Sequence, residues 1–133
     1  MKLLTRYADY GTRALVCISS APRRTATVQD LSLRLGIPRP ILRRIMQTLS
    51  KKHLLRSRRG QLGGFSLARS ADKINILDVI NAFQGDFCLS EHVFKGKRCP
   101  LMDTCKLKKT LDVIEGDVVK QLKSITIESL IKG

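Results

Sequence analysis

The chain of 133 residues contains no tryptophan, two tyrosines, four phenylalanines and two histidines. So few rings disfavour an aromatic-lined sugar or cofactor pocket. Two histidines and scattered acids assemble no nucleophile-base-orienter set, phosphate loop or carboxylate pair, so the sequence does not read as an enzyme. Long apolar runs are missing too. Nothing approaches the roughly 20 residues that span a bilayer, and in MKLLTRYADYGTRALVCISS the charges Arg6, Asp9 and Arg13 interrupt what would be a signal-peptide core. The expectation is a cytoplasmic protein without membrane partners, whose cysteines stay reduced unless they hold a metal or act as a switch.

Acid is the other shortage: 11 Asp and Glu stand against 25 Lys and Arg, for a net charge of +14. The imbalance is local. Fifteen basic residues in positions 1–70 face only Asp9 and Asp30, whereas ten in positions 71–133 face nine acids. Solubility alone needs no such segregation. It suggests a polyanion-binding region over 1–70 and a near-neutral region over 71–133 with a different task, the two forming one integrated domain.

The pattern of residues predicts a mainly α fold. Leu4, Ala8, Gly11, Leu15 and Ile18 recur at helical spacing, and APRR ends that helix. Thr27 with Asp30 three residues on predicts a capping box, opening a short helix with Val28, Leu31 and Leu35 inward and Gly36 at its end. After the GIP turn a second helix runs from about Arg39 to Lys52, burying Ile41 or Leu42, Ile45 and Leu49. Short helix, glycine turn and longer helix make a helix-turn-helix. LLRSRRGQLGGFSLARS then reads as a small β-hairpin wing, with Arg56, Arg58, Arg59 and Arg69 around it.

In a helix-turn-helix the start of the second helix lies nearest the base edges. Arg39, Arg43 and Arg44 are there, and a guanidinium can donate two hydrogen bonds to guanine. Lys51, Lys52, Arg56, Arg58 and Arg59 are expected on phosphates. The partner so implied is double-stranded DNA, and a dimer would read a palindromic operator.

ILDVINAF predicts a short helix closing at Gly85, and residues 86–105 read as a loop. Leu107, Leu111, Ile114, Val118, Leu122 and Ile125 then form a seam along a long C-terminal helix, which only the short TIESLI could cover. Such a helix most economically packs on a second copy, making it a dimerisation helix.

Cys17, between Val16 and Ile18, is expected to be an inert, buried thiol. Cys88, Cys99 and Cys105 are separated by ten and five residues, neither the CxxC of zinc sites nor the CxxCxxC of small ferredoxins. Yet three thiols in a loop need an explanation that burial does not supply. Lys95, Lys97, Arg98, Lys106, Lys108 and Lys109 around them favour thiolate, the form that reacts or binds soft metals. An iron-sulfur cluster, a zinc site or a disulfide switch all remain open on the residues alone.

The order of parts, with YADYGTRAL in the first helix, a wing ending RGQLGGFSLAR, ILDVINAFQG, the cysteine loop and the seam helix, resembles the Rrf2 (IscR-like) family of bacterial regulators over essentially the whole chain. DYGTRAL and CxxxxxCKLKK are most similar to its nitric-oxide-sensing branch. The resemblance implies a homodimeric winged-helix repressor holding a 4Fe-4S or 2Fe-2S cluster through Cys88, Cys99 and Cys105. It implies a fourth ligand from the first helix of the other subunit, here Asp9. Arg6 and Arg13, at i−3 and i+4, offer Asp9 a plain surface ion pair instead. The histidine that another branch uses three residues after the last cysteine is replaced by Lys108. The first cysteine spacing is wider than is usual in the family, which makes His92 a rival fourth ligand. His53 reads as a surface residue. A cluster-free thiol-disulfide regulator and a zinc-bearing nucleic-acid-binding module are the alternative readings.

Overall fold

In the computed structural model, residues 3–60, 63–89 and 106–132 are described. The first helix, α1, spans Arg6–Ser20. Thr5 caps it, its hydroxyl accepting from the Ala8 amide at 3.3 Å. Ala8, Gly11, Ala14, Leu15 and Ile18 are buried, which matches the expected face except at Leu4, which precedes the helix and is exposed. Ala21 ends it, and Pro22–Arg24 make a single turn.

The predicted capping box is present. The Asp30 amide donates to Thr27 Oγ1 and the Thr27 amide to Asp30 Oδ2, each at 3.1 Å, opening α2 over Val28–Leu35. Accepting from the Thr27 backbone amide, and to a smaller degree hydrogen bonding with the Thr27 side chain, holds the Asp30 carboxyl below its ordinary pKa. Gly36 closes α2 with a left-handed φ of 69° and donates to the Ser32 carbonyl. Helix α3 covers Arg39–Lys51 and buries Leu42, Ile45, Met46 and Leu49. Of the two candidates for its first inward position, Leu42 is fully buried and Ile41 only partly.

The wing strands are β2 (Leu55–Arg58) and β3 (Gly64–Leu67), antiparallel with Leu55 opposite Leu67 and Arg58 opposite Gly64. The sequence pattern has no counterpart for β1 (Thr25–Ala26), which pairs on the free edge of β3 to give the order β1-β3-β2. A strand of two residues is too short to show alternation. Its approach is close: a Cβ at Gly64 would stand 2.8 Å from the Ala26 carbonyl oxygen, and its φ is 139°.

A turn at Ala71–Lys73 leads to α4 (Ile76–Gln84), opened by a second capping box between Asn75 and Asp78. Helix α5 runs Lys106–Ser124 and α6 runs Ile127–Lys132. The link between them pairs with the approach to α4: the Ile76 amide donates to the Ile125 carbonyl and the Ile127 amide to the Ile74 carbonyl, both at 2.9 Å. Ile127 is thereby buried in the main core with Leu15, Ile18, Leu31, Leu42, Ile45 and Leu49. Each such side chain contributes about 1.5–3 kcal/mol by leaving water.

The seam of α5 divides. Its C-terminal end, Val118 and Leu122, packs within the chain against Leu77 and Ile80 of α4, which corrects the expectation that the whole seam awaits a second copy. Toward the N-terminal end Leu107 and Ile114 are 67% and 46% exposed, and Val113 beside them is 66% exposed.

Candidate DNA interface and sensing site

Inward packing of Leu42, Ile45, Met46 and Leu49 leaves Arg39, Arg43 and Arg44 exposed. Helix N-termini favour acidic groups, because their free amides carry partial positive charge. The start of α3 has the opposite arrangement: Pro38 supplies no side-chain cap, the first turn holds no acid, and three arginines surround it. For an isolated helix that is unfavourable; beside a polyanion it is favourable.

Lys51 and Lys52, at the other end of α3, are exposed. There Lys51 also complements the helix dipole, so its charge has a structural use as well. Arg56 and Arg58 project from β2, and Arg59 leads into the wing turn, all three exposed. That turn is tight. The Gly63 amide donates to the Gly60 carbonyl at 2.8 Å, Gly60 has φ 107°, and a Cβ at Gly63 would meet the Arg58 carbonyl oxygen at 2.7 Å. Arg69, expected beside the wing, instead lies 3.8 Å from Asp78 at the start of α4. His53 is exposed, with φ 62°, where the chain reverses from α3 into β2.

At the candidate sensing site, Asp9 sits in the first turn of α1 with its side chain 39% exposed. Arg13 Nε donates to both of its oxygens at 3.2 Å. Of the two arginines in reach, Arg13 makes this pair. Exposed i,i+4 pairs are worth about 0.3–0.5 kcal/mol, so a stronger ligand interaction can displace it.

Cys88 is exposed on a segment held from three sides. The Phe87 amide donates to Asn81 Oδ1 at 3.0 Å, and its ring packs beside Leu77, Ile80 and Leu122. The Leu89 amide donates to Glu115 Oε1 of α5 at 2.9 Å. Just upstream, Gln84 Oε1 accepts from the Thr5 amide at 3.1 Å, which ties the end of α4 to the cap of the helix that carries Asp9. Thr5, Gln84, Asn81 and Glu115 are residues that sequence reasoning missed. Each of these bonds joins positions remote in the chain, or a side chain to an amide, and neither leaves a periodic signal.

Cys99, Cys105 and His92 lie outside the described residues. Among the described residues no group of three or more His, Cys, Asp or Glu side chains could hold a metal ion. Of the described donors, the accessible Cys88 thiol suits a soft metal centre, whereas Asp9 offers a hard, weakly held carboxylate oxygen. Cys17 is partly buried against the main core, in line with a packing role. No helix among the described residues is long and apolar enough to cross a membrane.

A family model described as "Rrf2: Iron-dependent Transcriptional regulator" matches residues 4–133. The chain is 31% identical over 132 residues to the HTH-type transcriptional regulator NsrR of Oceanobacillus iheyensis, covering 98% of this chain and 90% of that one. Among solved structures it is similar to CymR, the global cysteine regulator of B. subtilis, with a TM-score of 0.77 at 20% identity, covering 99% of this chain and 98% of that one. It is also similar to T. potens IscR, with a TM-score of 0.68 at 26% identity, covering 99% of this chain and 87% of that one.

Proposed function

The chain belongs to the Rrf2 family of iron-dependent transcriptional regulators, and from that membership we propose that it is a cytoplasmic, homodimeric DNA-binding repressor that senses nitric oxide or redox and iron-sulfur status. Arg39, Arg43 and Arg44 of α3 read base edges in the major groove of a palindromic operator. Lys51, Lys52, Arg56, Arg58 and Arg59 neutralise phosphates. The exposed apolar residues Leu107, Val113 and Ile114 of α5 pack on the second copy. Cys88, Cys99 and Cys105 hold an iron-sulfur cluster, with Asp9 from the other subunit as its fourth ligand. Such a cluster would supply iron reactive toward nitric oxide and oxidants, and Asp9 would be the oxygen donor among its ligands.

The observation that supports coupling between the two sites is the hydrogen bond from the Thr5 amide to Gln84 Oε1. It joins the segment of Cys88 to the cap of α1, and α1 packs on both α3 and β3. A displacement at Cys88 therefore has a short mechanical route to the recognition helix and the wing. Asp9 has two competing partners, the cluster of the other subunit and Arg13 of its own, and release from the first returns it to the second. If the two arrangements space the recognition helices differently, operator affinity follows the state of the site.

Anaerobic purification tests the reading. The expected protein is brown, contains several irons with acid-labile sulfide per dimer, and binds its operator differently with and without iron. One zinc per chain would identify a structural metal module. A colourless, metal-free protein whose operator affinity changes on thiol oxidation would identify a disulfide switch. Equal affinity of apo and holo protein for one operator would rule out cluster control.

A further inference from the structure

The outer face of the wing sheet forms a cleft. In β2 the side chain of Leu55 is buried while Arg56 and Arg58 are exposed, so the two arginines lie on the face away from the core. Arg56 stands opposite Ser66 of β3, and Ser66 opposite Thr25 of β1. One arginine and two hydroxyls thus cross all three strands in a single row. Beyond the β1 edge, the Pro22–Arg24 turn adds two more arginines. Arg23 and Arg24 have φ of 60° and 52°, a left-handed conformation disfavoured for L residues. Arg69, Asp72 and Glu128 also line the cleft, whose volume is about 570 Å³.

Charge in this cleft is unbalanced. Among the described residues no carboxylate lies within 4.0 Å of the guanidinium of Arg23, Arg24, Arg56 or Arg58, while Arg69 is turned to Asp78. Beside the pair of Arg69 with Asp78, Asp72 and Glu128 stand against the four other arginines of the lining. Like charges so placed repel one another, and a disfavoured backbone at two of them adds to the conformational cost. An oxyanion relieves the repulsion, because guanidinium forks are matched donors for phosphate oxygens; the Thr25 hydroxyl is already engaged, donating to the Arg23 carbonyl at 3.1 Å.

We propose that the cleft receives the sugar-phosphate backbone of DNA flanking the operator, with Arg23 and Arg24 gripping the outermost phosphates. The proposal rests on the reading of the chain as a DNA-binding regulator and extends its footprint past the bases that α3 reads. Continuity favours DNA: Arg56 and Arg58 belong to the strand that ends at the wing turn, so the cleft prolongs the same basic surface. A site for a small effector would have predominantly apolar walls enclosing its ligand. The walls here are mostly charged or hydroxyl-bearing.

The test uses the full chain and an operator obtained by selection from random duplexes, prepared with long flanks and trimmed to the core site. Arg23→Gln/Arg24→Gln is expected to bind the long duplex roughly tenfold more weakly than wild type, with the salt slope reduced by about 0.9 for each phosphate no longer neutralised. On the trimmed duplex the two proteins should bind alike, which also shows the variant is folded. Arg56→Gln should reproduce the long-duplex defect. Wild-type affinity and slope for the double variant on the long duplex would overturn the proposal, as would equal losses on both duplexes. Pyrophosphate raising the melting temperature of wild type but not of the double variant, with DNA binding unchanged, would make the site one for a free phosphate compound and overturn it too. A wild type that selects no duplex would defeat the regulator reading and the cleft with it; the other failures defeat the cleft alone.

Discussion

Gly11 of α1 lies directly beneath the ring of Phe83 of α4: a Cβ built on the glycine would stand 2.6 Å from Phe83 Cε2 and 3.1 Å from Cζ. The two helices touch at a point where one of them has no side chain. Gly11→Ala must therefore push the ring or the helix aside, and overpacking of this kind costs about 1–3 kcal/mol. Urea denaturation should show that loss. Phe83→Leu in the same chain should restore part of it, and a double variant no more stable than Gly11→Ala would show the clash is not with that ring.

The basic residues of the helix-turn-helix should divide by task. Arg43→Ala is expected to weaken operator binding by about 1–3 kcal/mol and to relax base preference at one position of each half-site. Lys52→Ala should weaken all sequences alike and lower the salt slope by about 1 for the phosphate it leaves unneutralised. Competition assays over a salt series measure both, and the two variants behaving identically would remove the distinction.

Asp9 and Arg13 allow the ligand to be separated from the ion pair. Arg13→Ala removes only the pair, so it should change stability by no more than about 0.5 kcal/mol and leave iron content intact. Asp9→Ala removes both. If Asp9 is the fourth ligand, that variant should lose iron faster on exposure to nitric oxide or air while its apo form stays folded. Equal iron retention in the two variants would exclude Asp9 as a ligand.

Acid should loosen α2. The Thr27 hydrogen bonds lower the Asp30 pKa from its ordinary 3.8, so the ionised carboxylate stabilises the fold at neutral pH. That contribution is complete above the unfolded-state value and is lost as pH falls through it toward the lower folded value. Asp30→Asn should flatten this part of the pH profile of stability, and its effect should be small because Asp30 is exposed. A wild-type profile that the substitution does not alter below pH 3.8 would contradict the assignment.

The helix-turn-helix was legible because its signals are local. The Thr27 and Asp30 box, the left-handed Gly36 and the spacing of Leu42, Ile45 and Leu49 each lie within one or two turns of chain. The third strand was not, since Thr25 and Ala26 make a strand only through Ser66 and Phe65, some forty residues on. Separation along the chain likewise hides the pairing of Arg69 with Asp78 and the way Val118 and Leu122 are claimed by α4. For the sensing site, sequence could nominate Asp9 and name Arg6 and Arg13 as rivals for it, while choosing between them took the rotamers that α1 allows. The segment of Cys88 is placed by hydrogen bonds from the Phe87 and Leu89 amides to Asn81 and Glu115, which no motif announces.

The two backbone hydrogen bonds that join Ile74 and Ile76 to Ile127 and Ile125 pin together the ends of a segment about fifty residues long. Within that segment α4 packs on α1 and α3, and Val79 joins the main core, so its near end is anchored to the winged half as well. Such a segment can vary in length without disturbing its host, because each doubling of a flexible loop adds only about 0.6 kcal/mol of closure entropy. The ten residues between Cys88 and Cys99 are then an inexpensive variation. Length can therefore be added between α4 and α5 while the pairing of Ile74 and Ile76 with Ile127 and Ile125 keeps both ends of the insertion tied to the same frame.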